Sequence, residues 1–357
     1  MFKSKPRKVL KPTPAELFIK PEQGEGTNFE IRLAGLPGYL TPIDRFYIRS
    51  HAPTPHIDAK QWQLRIDGSG VRQSTTLSYD ELRAMPQTSV TRMVECAGNG
   101  RVFFKQDFGR EIGGTQWRTG AIGVAEWTGV RLRDVLARAK LTRAACSVIP
   151  EGLDELRFAR PLPLTKAMAD DTIIALVMNG EVLPRDHGYP ARVIVSGWLG
   201  AASVKWIGRI QVSEEPLYSK WNTEDYTMAG PDYAREEPAD GAPITTMPVM
   251  SVLNLDWSAT LSPGTQVIRG RAFSGEGRIS RVEYKIDNGS WRQARLCEPN
   301  IAGAWVRWEF DWRAEPGEHE IRVPATDEQG HRQPDKMLWN DHGCQYNAVV
   351  AHPVSVH

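Results

Sequence analysis

The stretch WVRWEFDW near the C-terminus constrains the fold most tightly. Val306, Trp308, Phe310 and Trp312 alternate there with Arg307, Glu309 and Asp311. A period of two is the pattern of a strand with one face in a core and the other in water, and a helix would smear those residues around its whole circumference. Its neighbours VIRGRAFSG, RISRVEYKID, SWRQARL and HEIRVPATD read as further strands separated by turns, with Asn288-Gly289 a strong hairpin signal between two of them. The C-terminal part is therefore expected to be an all-β sandwich of immunoglobulin-like type.

Upstream the signals are mixed. WQLRIDG alternates as a half-buried strand, and TIIALVMNG and ARVIVSG read as short buried strands ending in turns. LSYDELRAM opens on Ser78 with Glu81 three residues later, the capping-box spacing of a helix start. WTGVRLRDVLARAK sets Leu132, Val135, Leu136 and Ala139 at helical spacing. Loops rich in Pro and Gly lie between, which suits an irregular α+β layout better than a repeating βαβ one. With 357 residues there is room for two domains. A turn to Pro, Gly and acidic residues in REEPADGAPITTMP marks a boundary, so residues 1–235 are expected to form the first domain, 236–248 a linker and 249–357 the sandwich.

Composition narrows the function class. A formal net charge of +1 argues against nucleic acid as the main ligand, because that affinity rests on clustered cations. The basic stretch KSKPRK reads as a solvated tail. Cys96, Cys146, Cys297 and Cys344 form no CxxC pair, so neither a disulfide framework nor a zinc knuckle nor a c-type haem site is expected, and reduced thiols of a cytoplasmic protein are the default. No apolar run reaches the roughly 18 residues of a membrane span. The N-terminal MFKSKPRKVLKPTPAELF shows no export signal, although a periplasmic location would follow if a leader had been removed.

The chemistry concentrates in a few segments. In VECAGNGR a cysteine sits beside two glycines, and Cys96 is either a small buried hydrophobe at a turn or a thiolate acting as nucleophile or soft metal ligand. Spacing leaves both open. FYIRSH places Arg49 and His51 two apart, on the same side if the segment is a strand. RDHGYPAR and GAASVKW bring arginines, a histidine, Ser203 and Lys205 to glycine-containing turns, which together suit a phosphate pocket.

These segments, with WRTGAIG followed by WTGVRLRDVL, the longer run NGEVLPRDHGYPARVIVSGWLGAASVKWIG, then WNTEDY and WNDHG, resemble in their order the sulfite oxidase family of molybdenum–pterin enzymes over nearly the whole chain. The resemblance implies a mixed α/β molybdopterin-binding catalytic domain followed by an immunoglobulin-like dimerisation domain, hence a homodimer. It makes Cys96 the molybdenum ligand. It lays Tyr47, Ile48, Arg49, Ser50 and His51 along the pterin, brings Asp154 to the cofactor, and assigns the terminal phosphate to His187 and Arg192, with Ser203, Val204 and Lys205 continuing that cradle. Arg49, Arg101, Tyr226, Trp117 and His51 would surround the substrate. Gly100 stands where many relatives carry a second arginine, and His342 in WNDHG where animal and plant relatives usually have one.

The implied reaction is oxygen-atom transfer from molybdenum to sulfite, giving sulfate, with water and the departure of two electrons restoring the metal. No HPGG-type haem segment, CxxCH or flavin domain is visible, so the electrons are expected to pass to an external acceptor such as a c-type cytochrome or oxygen. Another oxo transfer at the same metal, reduction of a sulfoxide or nitrate, is the alternative that Gly100 and His342 suggest. A non-enzymatic β-sandwich interaction protein with a degenerate first domain is the reading that molybdenum content would exclude.

Overall fold

Short strands bounded by Gly, Pro and polar turns build most of the protein. The computed structural model describes residues 9–23 and 27–357, so the KSKPRK stretch lies outside the described residues. In the first part, strands Thr88–Glu95, Ile122–Arg131, Ile173–Met178, Glu181–Val182 and Arg192–Ile194 form one antiparallel sheet. A second sheet runs Thr75–Ser78, Gln63–Asp67, Ile207–Ser213, Ser147–Gly152 and Leu162–Pro163, with a parallel pair between Gln63–Asp67 and Ile207–Ser213. A third joins Phe18–Ile19, Thr27–Ile31 and Ile48–Ser50. Strands dominate a region with few helices, which is the mixed layout expected.

Local signals account for several elements. Ser78 and Glu81 form the reciprocal capping box on helix Tyr79–Ala84, satisfying two backbone donors at once. The expected helix in WTGVRLRDVLARAK is shorter than its pattern: only Leu132–Ala137 is helical. Trp127–Arg131 instead completes the long strand, because Thr128 and Gly129 pair across to Ser89 and Thr88 on one side and to Val177 and Ala175 on the other. Sheet hydrogen bonding on both edges outweighs helical spacing there.

The C-terminal part is a two-sheet sandwich. Met250–Leu253, Gly264–Phe273, Trp305–Ala314 and Arg295–Cys297 form one sheet, and Ala259–Leu261, His352–Val356, Gly317–Arg322, Ile279–Ile286 and Arg292–Gln293 form the other, with Ala325–Asp327 added on Ile279–Ile286. Val306, Trp308 and Phe310 are buried between the sheets, as the alternation requires. Trp305, on the opposite face, is buried against the first part, and its indole N–H donates to the Tyr39 carbonyl at 2.8 Å.

Residues 236–248 connect the two parts while packed: Ala242–Pro243 pairs with Thr227–Met228, and Ala239, Ile244 and Met247 are buried. After the sandwich strand Ala325–Asp327 the chain returns, and Trp339, Cys344, Tyr346 and Ala348 join the core of the first part. That return carries WNDHG to the site described next. Among the described residues no helix is long and apolar enough to cross a membrane.

Candidate active site

Cys96 follows directly on strand Thr88–Glu95, and the backbone turns through residues 97–100 before helix Val102–Phe108 begins. Asn99 shapes this turn. Its amide donates to Glu95 Oε1 at 2.9 Å, and its Oδ1 accepts the Ala121 N–H at 3.0 Å. Gly100 has φ +84°, and a Cβ there would stand 2.9 Å from the Tyr346 ring. A side chain would be strained in that backbone and would have to displace the ring. Cys96 itself is 7% exposed.

Two cavities meet at this thiol, and both are lined by Arg49, His51, Cys96 and Tyr226. The first continues past Tyr47, Ser50 and Asp154 to Asp186, His187, Arg192, Ser203, Val204 and Lys205. It is rich in buried cations whose bonds go to neutral oxygens rather than carboxylates. Arg192 donates to the carbonyls of His187 and Ser203, both at 2.9 Å, and its Nε has no partner among the described residues. Lys205 Nζ donates to Ser50 Oγ at 2.5 Å and to the Asp186 carbonyl at 3.0 Å. Burial above all, then the Arg192 charge, holds Lys205 well below the usual lysine range. Burial, then Lys11 and Lys205, does the same to His187. Asp154 folds its own loop by accepting N–H bonds from Leu156 and Phe158, both at 3.1 Å.

At the junction Arg49 and His51 do point the same way. Arg49 Nη2 lies 2.9 and 3.0 Å from the two His51 ring nitrogens, and His51 Nε2 lies 3.0 Å from the Tyr226 hydroxyl. The imidazole stacks on Phe158 and is tilted against Trp221. Burial there, followed by the charges of Arg49, Lys220 and Lys205, pushes the His51 pKa down to about 2, so the ring is neutral at physiological pH. Burial pushes Tyr226 up to about 12, which keeps its O–H protonated and able to donate.

The second cavity adds Arg101, Thr115, Trp117, Lys220, Asp341 and His342. Arg101 is clamped by carbonyls: its Nε and Nη2 donate to His342 O at 3.2 and 3.0 Å, Nε also to Gly343 O at 3.1 Å, and Nη1 to Thr115 O at 2.9 Å. Its Nη2 also lies 3.8 Å from Cys344 Sγ. Asn340 holds the loop that presents these carbonyls, donating to Cys344 O and accepting the Cys344 N–H, both at 2.9 Å. Trp117 is fully buried with its indole N–H unpartnered among the described residues.

The sequence-derived residues thus converge on one connected space. One departure is Ile48, whose side chain is buried and does not line the first cavity, although Tyr47, Arg49, Ser50 and His51 on either side of it do. Sequence reasoning missed Phe46, Phe158, Asp186, Trp206, Lys220 and Trp221 in the walls. Phe46, Asp186, Trp206 and Trp221 lay inside quoted motifs and were within reach, Trp221 opening WNTEDY on helix Lys220–Thr223, whereas Phe158 belongs to a loop with no local signal.

The residues fit an anionic cofactor carrying a soft metal. Among the described residues no three His, Cys, Asp or Glu side chains converge as a metal site, so a metal at Cys96 would take its other ligands from outside the protein chain. The unpartnered Arg192 Nε and the depressed Lys205 and His187 together mark a place where an anion would relieve both burial and mutual repulsion.

Comparison with known proteins gives the same picture. Residues 51–221 match the oxidoreductase molybdopterin binding domain, and residues 242–357 match the Mo-co oxidoreductase dimerisation domain. The chain is 38% identical over 331 residues to mitochondrial sulfite oxidase of Homo sapiens, which covers 87% of this chain and 60% of that one. It is 37% identical over 327 residues to sulfite oxidase of Gallus gallus, covering 85% and 71%. The solved structure of the sulfane dehydrogenase SoxCD from Paracoccus pantotrophus superposes with a TM-score of 0.81 at 28% identity, over 95% of this chain and 85% of that one.

Proposed function

Because the chain belongs to the sulfite oxidase family of molybdopterin oxidoreductases, we propose that it holds molybdenum on a pterin through Cys96 and oxidises sulfite to sulfate. The observation that carries this reading is the meeting of a cation-rich cavity and an arginine-lined one at a single thiol. In the first cavity His187, Arg192 and Lys205 bind the cofactor's phosphate, while Tyr47, Ser50, Asp154, Ser203 and Val204 shape the wall along it. In the second, Arg49 and Arg101 orient the sulfite oxygens, since guanidinium forks pair with compact oxyanions through charge-assisted bonds.

Each neighbour has a role in this reading. The carbonyl clamp pre-sets the Arg101 plane, so little rotamer freedom is lost when the anion arrives. The neutral His51 leaves the Arg49 charge to the substrate, and Tyr226 donates its O–H to a substrate oxygen. Trp117 closes one side of the pocket, and His342 supplies a nitrogen donor where relatives usually have an arginine. When bound, the molybdenum–pterin supplies oxygen-atom transfer and takes up two electrons. Those electrons pass to an external acceptor, a c-type cytochrome or oxygen. The C-terminal sandwich joins two copies into a homodimer.

The test is sulfite-dependent reduction of ferricyanide by molybdenum-loaded protein. Turnover is expected in the wild type and its loss in Cys96→Ser, because the metal loses its soft thiolate ligand. Absence of turnover from protein that holds molybdenum would contradict sulfite as substrate. Nitrate or a sulfoxide would then be the substrates to try, given Gly100 and His342.

A further inference from the structure

A strap of N-terminal chain is fastened to the wall of the first cavity at its His187 end. The backbone N–H groups of Leu10 and Lys11 donate to the Asp186 carboxylate at 3.0 and 2.8 Å, and Thr54 Oγ1 donates to the same carboxylate at 2.6 Å. Lys11 turns its ammonium inward, to the carbonyls of Ile43 at 3.0 Å and Phe46, and 3.2 Å from Nε2 of His187. Phe46, Asp186 and His187 are cavity wall. Two residues therefore tie together three segments remote in sequence: 43–46, Thr54 and the turn 185–187.

The charge balance at this end is lopsided. Lys11 stands against His187, which has Lys205 and Arg192 on its other sides, and the Asp186 carboxylate is already shared between the strap and Thr54. Burial is the largest cause pushing Lys11 down to about 7, with Asp186 and Asp44 offsetting it only in part. A base buried against a second base costs stability in the empty protein, and an anion bound at this end offsets that cost.

We propose that the Leu10–Lys11 strap is a latch that retains the phosphate-bearing end of the cofactor, with Lys11 as a positioning residue that braces His187 and adds positive charge behind it. The latch rests on the molybdopterin reading above. It makes a prediction that a simple structural brace does not: removing the Lys11 charge should weaken the loaded protein while leaving the empty protein as stable as before, or more so.

The experiment compares full-length wild type, Lys11→Met and Lys11→Arg, each loaded with cofactor. Molybdenum per chain is measured at the start and after timed incubation and desalting, and the melting temperature of the cofactor-free protein is measured beside it. Lys11→Met should lose molybdenum about tenfold faster or more, the scale of one charge-assisted contact. Its cofactor-free melting temperature should not fall, and Lys11→Arg should recover part of the retention. Unchanged retention in Lys11→Met, or an equal loss of stability in empty and loaded protein, would overturn the latch. A wild type that never carries molybdenum would remove the cofactor reading, and the latch with it, whereas a molybdenum-bearing wild type with unaltered Lys11→Met retention removes the latch alone.

Discussion

The two cavities that meet at Cys96 handle positive charge in opposite ways. In the first, Arg192 is buried and Lys205 half-buried, both bonded to neutral oxygens, His187 is buried beside them, and Arg192 keeps an Nε unpartnered among the described residues. In the second, Arg101 is only partly buried, and backbone carbonyls from two loops hold its plane fixed. The first arrangement is unfavourable when empty and suits a ligand that stays. The second is satisfied when empty and suits a ligand that comes and goes. The difference also follows chain origin: the first cavity is built wholly within residues 46–226, while the second is closed by the 341–342 loop returning from the sandwich.

The sharpest way to break this comparison is Arg192→Met. It removes the deepest cation of the first cavity and should cut molybdenum per chain at least about tenfold, measured by metal analysis of the purified protein. Next comes Arg101→Met, which should raise the KM for sulfite roughly 10- to 100-fold while molybdenum content stays at the wild-type level, because Arg101 is bonded to the loops of the second cavity and does not line the first. His342→Arg should act in the other direction and more weakly, lowering the sulfite KM a few-fold by adding a fixed charge to the wall.

A separate effect, on stability rather than on sulfite binding, concerns Glu30, which accepts the N–H groups of Arg118 and Gly120 and so fixes the loop that carries Trp117. Burial raises its pKa to about 7 from 4.5. The folded state thus holds a proton that the unfolded chain releases, and stability is highest below 4.5 and declines as pH rises through about 7. Glu30→Gln should flatten that decline by roughly 1–3 kcal/mol, seen as a weaker pH dependence of the melting temperature between pH 5 and pH 8.

What could be read from the sequence was what short-range pattern determines. The alternation at 306–312 places Trp308 in the sandwich core, the Ser78–Glu81 spacing gives a helix start, and two-residue spacing puts Arg49 and His51 together. Cys96 is ambiguous on spacing alone, and the structure adds that two cavities meet at it. Contacts across long separations left no trace: the Arg101 clamp spans more than 240 residues, and the link from Lys11 to His187 spans 176. The short helix after Arg131 was misjudged for a related reason, since its periodicity ran on into a strand whose partners lie some 40 residues away on either side. Gly100 is the reverse case. Its meaning came from Tyr346, whose ring occupies the space a side chain would need.

The measurement that bears most directly on the account is a paired one, molybdenum per chain and sulfite KM per molybdenum, in wild type, Arg192→Met and Arg101→Met. A crossed result is expected: Arg192→Met loses metal while its remaining sites keep a near-normal KM, and Arg101→Met keeps its metal with a raised KM. Loss of both properties together in each variant would contradict it, because the two cavities would then be one undivided site.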